Sequence, residues 1–218
     1  MATPVTSTLT ARAAPPELSD KGLWRGSIGL AVLSIAGFGF LYSLAGVGLG
    51  QAFFPDAANG SLIERDGKVI GSSHVAQPFA GDSYFSSRPS AVGHQPMSAG
   101  GSNQARTNPE LRKRVDEAVA AVALREGVEP SRVPGDMVTQ SGGGFDPHIS
   151  PQGAAIQVAR VARARGLSPD AVTGLVAQHT LAAQFGILGQ TRVNVLELNL
   201  ALDRPAMPAK PESAVRKQ

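Results

Sequence analysis

The sequence predicts an α+β protein, with a single N-terminal transmembrane helix followed by one compact extracytoplasmic domain in which a small antiparallel sheet packs with three to four helices. Three observations predict it. No charged residue falls between Arg25 and Asp56. About 165 residues lie beyond that run, enough for one domain with its own core. Within them, a strand, turn and strand pattern precedes several apolar runs at helical spacing, each behind a good capping residue.

The first element is the stretch Ser27 to Gly50, SIGLAVLSIAGFGFLYSLAGVGLG. It exceeds the roughly 20 apolar residues that a helix needs to cross a bilayer. Eleven of its side chains are Leu, Ile, Val or Phe, and at about 0.3 to 0.6 kcal/mol each they outweigh its glycines and serines. A secretory signal is the alternative, but its apolar region runs only about 7 to 15 residues and ends in a small-x-small cleavage site. Here Asp56 spoils the best such site, so the segment reads as an uncleaved anchor. Ala36, Gly39, Ser43, Gly46 and Gly50 recur along it at steps of three or four. Such a stripe lets another helix approach closely in lipid, although small residues are also common in membrane helices for no such reason.

Orientation follows from flanking charge. Lys21 and Arg25 stand just before the helix, and the first basic residue after it is Arg65. Positive charge stays inside, so the N-terminus reads as cytoplasmic and the domain as extracytoplasmic. The organisation expected is a disordered cytoplasmic tail over 1–25, the anchor over 26–50, the domain over 51–203 and a flexible, proline-rich tail over 204–218.

In the domain, SLIERDGKVI from Ser61 to Ile70 places two apolar runs around Asp66-Gly67, a strong signal for a tight hairpin. Gly71 to Thr107 is rich in glycine, serine and proline and reads as a long loop, pinned by Phe79, Tyr84 and Phe85. Asn108-Pro109 opens a helix carrying Leu111, Val115, Val119 and Val122, and Gly127 closes it. Met137-Val138-Thr139 is a short strand candidate. Ser150-Pro151 caps a second helix, with Ile156, Ala159 and Ala162 facing inward, Arg160, Arg163 and Arg165 in its C-terminal half, and Gly166 at its end. Ser168-Pro169 starts a third, through Val172, Leu175 and Val176 to about Phe185. Asn194 with Glu197 outlines a capping box for a last helix, NVLELNLALD, whose partly alternating pattern also suits a strand.

Composition narrows the function. Past Gly50 there are 17 basic and 15 acidic residues, so no basic stripe offers itself to nucleic acid. The absence of cysteine excludes disulfides, thiolate nucleophiles and thiolate metal sites. The most unusual soluble segment is SGGGFDPHIS, with Ser141, Gly142, Gly143, Gly144, Asp146, His148 and Ser150 as candidate functional residues. Three glycines before a helix suit a phosphate, but neither the GxxxxGK[ST] lysine nor GxGxxG spacing is present. Asp146 and His148 could share a metal, yet no third ligand has recognisable spacing. Ser141, His148 and Asp146 could form a hydrolytic triad on paper, without a GxSxG elbow. The plainer reading gives the glycines tight turns, Asp146 backbone amides and Ser150 a helix cap.

Five blocks carry a resemblance: GQAFFPDAANGSLI from Gly50, YFSSRPSA from Tyr84, GGSNQARTNPEL from Gly100, VTQSGGGFDPHISPQGAAIQVARVARARGL from Val138, and RVNVLELNLALD from Arg192. In this order they resemble the C chain of the bacterial Kdp potassium-transporting ATPase. Departures fall at His74-Val75-Ala76, at Gln104-Ala105-Arg106 and in a longer N-terminal tail. The resemblance implies a non-catalytic subunit in the bacterial inner membrane. It implies as partners a channel-like potassium-selecting chain, a P-type catalytic chain and a small single-span chain, besides membrane lipid. It also implies a catalytic chaperone role, raising the ATP affinity of the hydrolysing chain, with ATP and potassium belonging to the complex and no cofactor held securely here. An anchored extracytoplasmic hydrolase and a stand-alone binding protein are the rival classes.

Overall fold

The computed structural model describes residues 22–204. The tails expected over 1–25 and 204–218 therefore lie almost wholly outside the described residues. The chain divides between residues 58 and 59 into an anchor unit and a domain unit.

In the anchor unit, α1 runs Leu23–Phe53, 31 residues whose most apolar 18-residue window has a mean hydropathy of 2.0. At about 1.5 Å per residue it is longer than the hydrocarbon of a bilayer is thick. Its middle, Ile35–Leu41, is π-helical, and the Tyr42 N–H donates to the Gly37 carbonyl five residues back. A short helix, α2 (Pro55–Ala58), follows.

The domain unit opens with the expected hairpin. Strand β1 (Leu62–Arg65) pairs antiparallel with β2 (Lys68–Ser72). Asp66 and Gly67 both have positive φ, at 52° and 70°, as a hairpin turn that matches the strand twist requires. From Ser73 to Thr107 the only regular structure is one 3-10 turn at Pro96–Ser98. Helix α3 (Pro109–Glu126) is capped by the Asn108 side chain and closed by Gly127 at φ 67°.

A second sheet forms from three very short antiparallel strands in the order β3-β5-β4, namely β3 (His148–Ile149), β5 (Arg192–Asn194) and β4 (Thr180–Leu181). Val193 at its centre faces Ile149 on one side and Thr180 on the other. Around it lie α4 (Pro151–Ala155), α5 (Val158–Arg165), α6 (Pro169–Gln178) and α7 (Val195–Leu202). Ser150, Ser168 and Asn194 each accept a backbone N–H at the start of α4, α6 and α7. The core gathers Phe85, Met137, Ile149, Val161, Val172, Val193, Val195 and Leu198.

Four expectations are corrected. Met137-Val138-Thr139 forms no strand, because Met137 ends a 3-10 turn (Gly135–Met137) whose N–H groups bond locally. The helix after Ser150 breaks at Ile156 and Gln157, where the Gln157 side chain is drawn into the core. Ala159, expected to face inward, is exposed, and its neighbour Arg160 is buried in its place. The third helix stops at Gln178, since Thr180 and Leu181 leave it to edge the sheet. The last element is a helix preceded by a strand.

Candidate functional site

The glycine-rich loop is built from hydrogen bonds to its own backbone. The Ser141 hydroxyl accepts from the N–H groups of Gly144, at 3.1 Å, and Asp146, at 3.4 Å. Three stretches of the long loop clamp it from outside. The Ser141 N–H donates to the Pro89 carbonyl, the Gly100 N–H to that of Gly143, and the Ala76 N–H to that of Phe145. Ser90 donates to the Gly144 carbonyl at 2.6 Å while accepting from Val92 and His94.

Gly144 is required. Its φ is 81°, and a Cβ there would lie 2.7 Å from the Gly100 carbonyl oxygen and against Val92. Gly142 and Gly143 are exposed and have no such restriction; the nearest atoms to a Cβ at Gly143 belong to Phe145.

Asp146 is the electrostatic centre of the loop. One carboxylate oxygen accepts the His148 N–H at 3.0 Å and lies 3.3 Å from His148 Nδ1. The other meets Arg88 at 3.2 Å. Burial pushes this carboxyl up, but the His148 and Arg88 hydrogen bonds outweigh it and hold the group below its ordinary value. His148 also begins β3, paired with Asn194. Ser150 caps α4 through Gly153 and is itself held by Asp136, which accepts both its N–H and its hydroxyl.

The loop therefore brings Ser141, Asp146 and His148 together without making them a triad. The Ser141 oxygen faces backbone amides, and the His148 ring meets Asp146. With His74, Phe145 and Pro147 these residues line an open hollow of about 400 Å³. Among the described residues, no group of three His, Asp or Glu stands ready for a metal. The small-residue stripe lies on α1, where Ala36 and Gly39 fall inside the π-helical stretch and Ser43, Gly46 and Gly50 in the regular helix beyond it.

A second constellation was not legible in the sequence. The irregular strap Asp82 to Ser86 begins in a turn and has no strand partner, yet side chains satisfy each of its carbonyls. Arg160, with its side chain buried, donates to the carbonyls of Asp82 and Tyr84 at 2.7 and 2.9 Å. Arg165 donates to that of Ser83 and stacks on the Tyr84 ring. Asn199 and Gln157 each bracket one residue, accepting its N–H and donating to its carbonyl, at Phe85 and Ser86 respectively. Glu126, side chain fully buried, balances Arg160 at 2.9 Å. Tyr84 to Ser86 of the strap lie in the YFSSRPSA block, and Gln157, Arg160, Arg165 and Asn199 in two others.

Residues 24–204 match the family model described as KdpC, the c chain of the K+-transporting ATPase. The chain belongs to this family. Among curated relatives, the potassium-transporting ATPase KdpC subunit of Xanthomonas campestris is 54% identical over 187 residues, covering 86% of this chain and 90% of the relative. The KdpC subunits of Shewanella putrefaciens and Burkholderia cenocepacia are each 50% identical, over 83% and 84% of this chain and 90% and 96% of theirs. The family match spans the anchor, the strap with its clamps and the glycine-rich loop together.

Proposed function

We propose that this chain is a non-catalytic subunit of an ATP-driven potassium uptake pump, held in the bacterial inner membrane by α1 and assisting the pump's assembly and turnover. On this reading its N-terminus is cytoplasmic and its domain extracytoplasmic, beside a channel-like potassium-selecting chain, a P-type chain that hydrolyses ATP, and a small single-span chain. The family match over residues 24–204 carries the reading. The loop chemistry supports an accessory role, because the Ser141 hydroxyl is occupied by backbone amides and Asp146 by Arg88 and His148. A role in raising the ATP affinity of the hydrolysing chain would act through partner chains, since an outward domain does not meet cytoplasmic nucleotide.

The test uses the absence of cysteine. Ser7→Cys and Ala214→Cys chains are exposed separately, in intact spheroplasts, to a thiol reagent that does not cross membranes. Only the Ala214→Cys chain should label. Labelling of the Ser7→Cys chain alone would reverse the orientation and bring the domain to the nucleotide side.

A further inference from the structure

The connection between β4 and β5 ends in a small apolar tip that the core does not use. Gln184 and Leu188 exchange both backbone hydrogen bonds, at 2.8 and 2.9 Å, closing a turn over Phe185, Gly186 and Ile187. Phe185 and Gly186 take positive φ, 55° and 77°. For a phenylalanine that conformation is uncommon, and it holds the ring away from the domain. Phe185 is 83% exposed, Ile187 82% and Leu188 54%. From Thr180 to Thr191 there is no charged residue.

Resting on the subunit reading above, we infer that this tip is an anchor that docks into an uncharged apolar crevice on another chain of the pump, on the domain's own side of the membrane. Three features favour a protein crevice over lipid. A turn closed by its own hydrogen bonds presents large apolar side chains with little ordering left to lose, the property that makes interface anchors effective. Segments that rest at a lipid surface set Lys and Arg beside their apolar side chains to meet the headgroups, often with Trp or Tyr at the boundary; between Thr180 and Thr191 the apolar side chains are present but none of those four residue types occurs. The absence of charge also leaves nothing to pair with anionic headgroups or a charged partner surface, so the complementary surface is a neutral one.

The experiment places Ile187→Cys in the otherwise cysteine-free full chain, with Leu124→Cys, at a site 87% exposed on α3, as reference. Maleimide modification rates are read by mass on this chain's own peptide, for the chain alone in detergent, the chain alone in lipid vesicles, and the purified pump. At position 187 the rate should fall at least tenfold in the pump and stay near the reference in the other two settings. An equal rate in the pump overturns the docking. Protection in vesicles without partner chains also overturns it, in favour of lipid. Recovery of the other chains with wild-type protein is measured first; if none is recovered, the subunit reading fails and this inference with it. A Phe185→Ser, Ile187→Ser chain, altered only where side chains are exposed, should recover the other chains at least tenfold less well while melting normally. Undiminished recovery counts against an anchor.

Discussion

Asp146 accepts from a backbone N–H two residues on, holds the His148 ring and meets Arg88 from the long loop, so one carboxylate both shapes its own loop and ties it to the long loop. A group whose folded pKa lies below its unfolded value stabilises the fold above the unfolded value, and that stability is lost as pH falls through the folded one. Asp146 is such a group. Asp146→Asn should therefore lower the melting temperature by a constant amount from about pH 8 to 5, and the difference should shrink below about pH 4. A difference that persists undiminished into acid would mean that the charge contributes nothing and only shape is lost. The assembled pump should still hydrolyse ATP with this variant, because the loop's polar groups hold backbone rather than reacting atoms. Normal assembly with abolished turnover would instead make Asp146 part of the reaction cycle.

The strap from Asp82 to Ser86 is the element that sequence reading could not supply, and its clamp is where stability is most exposed to single changes. Removing one partner of a buried ion pair leaves the other charge uncompensated, at a cost of about 3 to 5 kcal/mol. Arg160→Ala should cost toward the lower end of that range, because it frees two strap carbonyls while Glu126 keeps Arg125 at 2.7 Å. Glu126→Gln should cost clearly less, since Arg160 keeps the carbonyls of Asp82 and Tyr84 and the Gln157 side chain. Denaturant melts of the two variants decide it, and equal losses would place the stability in the ion pair alone. Local chemistry was legible: the Asp66-Gly67 turn, the caps at Asn108, Ser150, Ser168 and Asn194, and the closing glycines Gly127 and Gly166 all stand where short-range rules put them. Arg160 was read only as a cation suited to the helix C-terminus, because its strap partners lie 76 and 78 residues upstream, a separation that periodicity does not reach. The three-stranded sheet escaped for a related reason. Its strands are two or three residues long, too short for an alternating pattern to be expressed.

At the scale of the whole molecule, the anchor and the domain are compact units of one family chain, and each offers a surface that its own unit leaves open. For α1 that surface is the stripe of Ala36, Gly39, Ser43, Gly46 and Gly50. Lipid supplies no hydrophobic drive for helices to associate, so close packing of small residues has to hold a partner helix. The π-helical stretch refines the expectation. Ala36 and Gly39 lie within it, where widened turns shift them from ideal α spacing, while Ser43, Gly46 and Gly50 follow in regular helix. Beside Gly46 a Cβ would meet nothing within 4 Å, and beside Gly39 only Ile35 of the same helix, so leucine at either site leaves the isolated helix undisturbed and acts on a partner alone. Overpacking costs about 1 to 3 kcal/mol. Gly46→Leu should thus reduce recovery of the other pump chains from detergent, Gly39→Leu should do so less, and Leu41→Ala, off the stripe, least. The domain should melt normally in all three. If Gly46→Leu holds its partners as tightly as wild type, the glycines are only compositional, and attachment must lie in the domain.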